Sequence, residues 1–410
     1  MERIIFHIDV NSAYLSWTAV EQLKHGETVD IRTIPAIIGG DRKSRHGVVL
    51  AKSIPAKKYG IRTGEPVTDA LRKCPFLHMD PPDHELYRQY SRRLMDFLHT
   101  YTSEIEQVSV DECYLDFTGI AGQFPSPVEA AFEMKDRIKE LFGFTVNIGI
   151  SSNKLLAKMA SDFQKPDRVH TLFPQEIRDK MWPLPVSELY MAGRSSVETL
   201  KKLEITTIGE LARTDPALIE LHLKSHGRML WEFANGMDDS PVQSEETQAK
   251  GIGNSTTLPK DVTKTEEAEK VLEKLAESVS RRLKEAVQTA GMVSVEIKYS
   301  TFQSVSHQMQ LSRPSSEKKE IFRTACVLFG ELWNGEPVRL LGIRTSKLES
   351  AGAPRQMSLF DLPPVEKKEK PEKKLSPEKK KKLEEAMETI RARYGDNAVV
   401  KGKDMKNPRR

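Results

Sequence analysis

Residues Ser109 to Phe117, S-V-D-E-C-Y-L-D-F, set the hardest condition on how this chain folds. Val110, Tyr114, Leu115 and Phe117, in a run free of Pro and Gly, predict a β-strand. Yet Asp111 and Glu112 stand side by side in it, and neighbouring strand residues point to opposite faces. In a regular strand Asp111 shares its face with Cys113, Leu115 and Phe117, where an uncompensated carboxylate is expensive to ionise. On spacing alone, a solvated acidic pair beside a turn is the simpler reading. For both carboxylates to serve one site, the pair must lie at a strand end beside a hairpin turn.

A second acidic position has the same character. R-I-I-F-H-I-D-V predicts a strand with Ile4, Phe6, Ile8 and Val10 on one face and Asp9 near its end. A helix follows to about His25, then short strands and turns, a helix at Pro55–Tyr59, and helical spacing at Leu86, Tyr90 and Leu94. After Ser109–Phe117 come a helix over 127–142 and the strand T-V-N-I-G-I-S. This order predicts an α+β fold, a ferredoxin-like sheet with a long insertion. Its first and third strands are neighbours, so Asp9 converges on Asp111 and Glu112. Three carboxylates at one point need a strong counter-charge. Two Mg²⁺ ions about 3.5–4 Å apart supply it and suit in-line attack at a phosphate.

Residues 175–240 read as short helices, with a turn near Gly209 in T-L-K-K-L-E-I-T-T-I-G-E-L-A. From Gly251 to Leu348 the pattern is strand, helix (Glu266–Ala290), two strands, helix (Ser316–Trp333) and strand, a second βαββαβ unit sharing the first one's topology. Beyond Glu349 the sequence turns to Pro, Lys and Glu, as in a flexible tail, with one short amphipathic helix at L-E-E-A-M-E-T-I-R-A-R-Y.

Composition narrows the class. No apolar run approaches the roughly 18 residues of a membrane span, and the N-terminus lacks a signal-peptide pattern. Cys74, Cys113 and Cys326 have neither metal spacing nor disulfide pairing, so a cytoplasmic protein is expected. Net charge is +4, but residues 363–410 carry 16 Lys and Arg against 9 Asp and Glu, so the other residues sum to −3. A nucleic-acid footprint in the body must therefore be a local patch.

F-H-I-D-V-N-S-A-Y, S-V-D-E-C-Y-L-D-F and N-I-G-I-S-S-N-K-L-L-A-K-M-A-S-D-F-Q-K-P-D strongly resemble, in order and spacing, the three palm motifs of the Y-family DNA polymerases, in their DinB branch. The resemblance covers residues 1–362. It implies a palm (1–14 and 77–166), inserted fingers (15–76), a small helical thumb with a helix-hairpin-helix (167–242) and a separate little finger (248–349). A linker with a clamp-binding peptide (350–362) and a basic, mostly disordered tail (363–410) follow. Carried over by position, Asp9 and Asp111 bind both Mg²⁺ ions, Glu112 completes the catalytic one, and the Val10 carbonyl is a further ligand. Tyr14 matches the steric gate that rejects a 2′-hydroxyl. Lys165, in Q-K-P-D, and Lys57 match triphosphate-binding positions. The family usually carries Arg where Lys57 stands, Tyr at Ile54 and a bulkier aromatic at Ser12. Lys57 keeps the charge without bidentate geometry, so these departures bear on nucleotide affinity rather than on the reaction. Lys52, Lys58 and Arg42–Lys43–Arg45 read as solvated charges.

Y-M-A-G-R-S-S-V-E-T-L-K-K-L resembles the thumb hairpin, with Ala192 in place of its usual first Gly. The 251–348 unit resembles the little finger; with 16 basic against 15 acidic residues over 245–350, one face of it must carry any contact to DNA. Gln356, Leu359 and Phe360, in Q-M-S-L-F, resemble the bacterial sliding-clamp-binding peptide. The expected protein is a monomeric, low-fidelity translesion polymerase acting on primer-template DNA and dNTP, recruited by the clamp. Two other classes compete: a catalytically feeble clamp- and DNA-binding protein at stalled primer ends, and a cyclase-like palm nucleotidyltransferase. Templated extension separates them.

Overall fold

The computed structural model describes residues 3–40, 47–245, 248–352, 376–395 and 398–399. In chain order, the elements up to residue 171 are β1 (Ile5–Val10), α1 (Ala13–Lys24), β2 (Ala36–Gly39), β3 (Val49–Lys52), α2 (Ile54–Lys58), α3 (Val67–Lys73) and β4 (His78–Asp80). They continue with α4 (His84–Leu98), β5 (Ile105–Gln107), β6 (Glu112–Asp116), α5 (Pro127–Phe142), β7 (Val146–Ser151), α6 (Lys154–Asp162) and β8 (Val169–Thr171).

The main sheet has the order β5-β6-β1-β7-β8. Its first four strands are antiparallel neighbours in the ferredoxin-like order, and β8 joins β7 in parallel, beyond the limit of residue 166 set from the sequence. All six residues of β1 are buried, which requires cover on both faces. Phe6, Ile8 and Val10 enter the large core with Cys113, Leu115, Trp17 of α1, Tyr90 and Leu94 of α4, and Met134 of α5. On the opposite face Ile5 and Tyr114 pack against Ala157 of α6. The insertion forms a small sheet, β3-β2-β4, over Ile37, Val49 and Val67.

Three further helices, α7 (Arg194–Lys202), α8 (Ile208–Arg213) and α9 (Pro216–Ala234), pack around Leu200, Ile208, Leu211 and Leu230. The hairpin turn lies at 203–207, where Glu204 adopts φ +63°, just ahead of Gly209 rather than at it. Thr207 caps α8 and reciprocates with Glu210, which starts the helix before Gly209. Gly209 instead sits in its first turn because an added Cβ would lie 2.9 Å from Cβ of Trp182.

The next unit comprises β9 (Gly251–Val262), α10 (Thr265–Glu285), β10 (Gln288–Tyr299), β11 (Ser304–Ser315), α11 (Lys318–Leu332) and β12 (Val338–Ser350). It has the expected βαββαβ element order but not the first unit's topology: its strand order is β11-β10-β12-β9, so its first and third strands are not neighbours. Helix α10 ends at Glu285 rather than near Ala290, because Gln288–Ala290 pair with Leu348–Ser350 and lengthen the sheet. Beyond Ala351 a second unit contains α12 (Pro377–Tyr394), the short helix expected in the tail, with no buried residue. Among the described residues no helix is long and apolar enough to cross a membrane.

Helix α6 approaches β7 over Gly149, where an added Cβ would overlap the Ala157 carbonyl and the Ser161 amide. Gly149→Ala is expected to destabilise the fold by about 1–3 kcal/mol or more. Differential scanning calorimetry checks this, and an unchanged melting temperature contradicts the packing described.

Candidate functional site

Ser109 builds the turn between β5 and β6. Its Oγ accepts from the backbone N–H of Asp111 (3.2 Å) and of Glu112 (3.1 Å) and donates to Asp111 Oδ1 at 2.6 Å. Asp111 thus precedes the strand and escapes its alternation, while Glu112 is the first strand residue. Glu112 pairs in register with Asp9, and the Val10 N–H donates to the Asp111 carbonyl at 3.0 Å. The acidic pair therefore lies at a strand end beside a hairpin turn.

One open cleft of about 590 Å³ is lined by Asp9, Val10, Tyr14, Lys57, Asp111 and Lys165. Six of the seven residues singled out for metal, sugar and triphosphate thus border it. The seventh, Glu112, is the register partner of Asp9 and pairs with Lys158 of α6 at 3.0 Å. Tyr14, at the start of α1, stacks on Tyr87 with ring centroids 4.3 Å apart. Ile54 also borders the cleft, half exposed and offering no polar group.

The electrostatics divide the three carboxylates. Asp9 is nearly buried and ion-paired with Lys165, and Lys158 stands 3.8 Å away. The facing His7 imidazole and the Lys158 ammonium hold Glu112 down to about 2, against the opposing effect of burial. Of the two, Lys158 makes the direct contact: His7 Nε2 is 3.8 Å from Glu112 Oε2, and burial keeps His7 below its ordinary value. Asp111 moves the other way, raised by burial and by the negative charges of Asp9 and Glu112 despite its bond from Ser109. Lys165 is raised, because Asp9 and Asp162 outweigh its burial.

As they stand, no three carboxylate, imidazole or thiol groups among the described residues surround one point. Lys158 and Lys165 already satisfy Asp9 and Glu112. The donor set is nevertheless one of hard oxygen atoms, and Asp111 is left short of positive charge, so it suits a dication of the Mg²⁺ type.

Sequence reasoning missed Lys158 and Lys52. Lys158 follows Lys154 by four residues on a helix whose buried residues are mostly apolar, and both lysines face strand carboxylates: Lys154 meets Glu106 at 2.6 Å. That spacing was the available signal. Lys52, read as a solvated charge, lines the cleft, and burial and the neighbouring Lys57 lower its pKa. Gln356, Leu359 and Phe360, and the Arg42–Lys43–Arg45 cluster, lie outside the described residues. On the last β-sheet, Gly253, Ser255, Ser294, Ser306 and Arg344 border an open polar groove of about 630 Å³.

A sheet-borne acidic cleft, a helical hairpin and a second βαββαβ unit together define a palm-type polymerase architecture. A solved chimeric Y-family DNA polymerase superposes with TM-score 0.74 at 22% identity, covering 85% of this chain and 99% of that one, which shows the fold. Residues 8–162 match the impB/mucB/samB family, and residues 249–359 match that family's C-terminal domain. DNA polymerase IV of Clostridium acetobutylicum is 47% identical over 401 residues, covering 98% of both chains. DNA polymerase IV 1 of Bacillus subtilis is 36% identical over 406 residues, covering 98% of this chain and 94% of its own. The chain belongs to this family, the Y-family DNA polymerases, and by that membership is a DNA-directed DNA polymerase.

Because Glu112 is depressed in the folded state, its contribution to stability is complete above its ordinary value near 4.3 and fades as pH falls toward about 2. Glu112→Gln is therefore expected to be less stable than the parent by about 1–3 kcal/mol at pH 7 in chelator. The two should converge by pH 2–3 in denaturant titrations. A difference independent of pH contradicts the ion pair.

Proposed function

We propose that this chain is a template-directed DNA polymerase of the low-fidelity translesion type, adding dNTPs to a primer 3′-hydroxyl. The observation that carries this reading is the single cleft bordered by Asp9, Asp111, Tyr14, Lys57 and Lys165. Asp9, Asp111 and Glu112, with the Val10 carbonyl, are the residues that would hold two Mg²⁺ ions. When bound, those ions would activate the primer hydroxyl and neutralise charge on the triphosphate. The chain's own groups do the rest. Ser109 holds Asp111 at the cleft edge, so the carboxylate is oriented before substrate arrives. Lys165, released from Asp9, and Lys57 supply cationic charge to the β- and γ-phosphates. The Tyr14 ring, backed by Tyr87, closes the space a 2′-hydroxyl needs.

Around this centre, the polar groove of the last sheet suits contact with the primer-template backbone, which weakens with salt. Gln356, Leu359 and Phe360 form the peptide that would engage a bacterial sliding clamp, raising the local concentration of a monomeric, cytoplasmic enzyme at primer ends.

Primer extension with Mg²⁺, template and dNTPs tests the reading. Asp111→Asn should reduce extension by about 10²–10³-fold or more while primer-template binding survives. Retained extension contradicts the metal assignment. Tyr14→Ala should raise ribonucleotide incorporation relative to deoxyribonucleotide by about tenfold or more, and unchanged sugar selectivity removes the gate.

A further inference from the structure

Lys165 lies on an irregular segment between α6 and β8, where an untethered lysine has great conformational freedom. This segment is tied down by two buried amides. Asn147, in β7, is fully buried and pairs in register with Asp9. Its Nδ2 donates to the carbonyls of Ser161 (3.0 Å) and Gln164 (2.7 Å). Its Oδ1 accepts from the N–H of Arg168 (3.3 Å) and from Asn11 Nδ2 (3.1 Å). Asn11, the first residue past β1, accepts at Oδ1 from the N–H of Asp167 and from Thr145 Oγ1, each at 2.9 Å.

The two side chains thus bind the backbone immediately before Lys165, at Gln164, and just after it, at Asp167 and Arg168. Every donor and acceptor of the Asn147 amide is used, and the flipped amide would set its oxygen against two carbonyls. Outside the segment, the Asp167 carboxylate is held by Lys135 at 2.8 Å and Lys139 at 2.9 Å, both from α5.

We propose that Asn147 and Asn11 are positioning residues for Lys165 in nucleotide binding. They fix the segment so that the ammonium swings between Asp9 and the triphosphate on a short arc. The register pair Asp9–Asn147 gives the carboxylate and the cation one rigid reference, because Asn147 stands opposite Asp9 and itself binds the segment that carries Lys165. This rests on Lys165 being the triphosphate cation. A displacement of about 1 Å in a positioned group suffices to cost about a hundredfold, and a loosened segment permits it.

The test is single-nucleotide insertion by the full chain on a primer-template, with KM for one dNTP, kcat and primer-template Kd measured for Lys165→Ala, Asn147→Ala, Asn147→Asp, Asn11→Ala and the Asn147→Ala/Lys165→Ala double variant. Asn147→Ala should raise KM for dNTP on the order of tenfold or more, with primer-template Kd unchanged. Asn147→Asp, which keeps the acceptor and loses both donors, should do the same. The double variant should be no worse than Lys165→Ala, since the asparagine acts through the lysine. Simple loss of folded enzyme lowers the active fraction and leaves KM alone. If the Asn147 variants do not fold, Asn11→Ala, at the cleft rim, carries the same expectation. Unchanged KM in the folded asparagine variants beside a raised KM in Lys165→Ala, or additive effects in the double variant, overturns the proposal. Unchanged KM in Lys165→Ala overturns the reading of Lys165 itself.

Discussion

The pairing of β1 with β6 is the constraint on which the site depends. Its register sets Asp9 opposite Glu112, two carboxylates on one face of a sheet buried on both sides. Such a pair repels and is costly to desolvate. The fold answers with Lys158, which projects from α6 to Glu112 and lies near Asp9. Helix α6 comes close enough because Gly149 presents no side chain to it. Packing and charge are therefore coupled: the close approach of a helix to a strand brings the cation that makes the acidic register tolerable.

The same physics distinguishes the two lysines that compensate these carboxylates. Lys165 is paired with Asp9 but is more exposed than Lys158, with 36% against 11% of its side chain accessible. In the proposed reaction Lys158 stays as the resident counter-charge, and the more exposed Lys165 is the cation that leaves. Its departure would free Asp9 for a metal ion and carry positive charge toward a triphosphate. A carboxylate that gains a dication as it loses an ammonium keeps its charge compensated throughout.

Much of this was legible in the residues. The alternation within S-V-D-E-C-Y-L-D-F demanded a strand end beside a turn, and Ser109 makes that turn. The helix expected over 127–142 is α5. Other features depend on tertiary contacts that no local pattern carries. The order β11-β10-β12-β9 arises from strand pairing across long separations, which the order of elements leaves open. Gly209 looked like a turn residue, but its smallness serves close packing on Trp182. Asn11 and Asn147 lie 136 residues apart, and nothing near either announces that they meet. Lys158, four residues after Lys154, takes its meaning only from the strand carboxylate set against it.

The most direct measurement is a crystal structure of the full chain with primer-template DNA, a non-hydrolysable dNTP and Mg²⁺. The account predicts metal ions shared by Asp9 and Asp111, Lys158 still at Glu112, and Lys165 moved from Asp9 to a phosphate oxygen with the Asn147 hydrogen bonds intact. Lys165 still paired with Asp9 while nucleotide is bound, or metal held without Asp111, would contradict it.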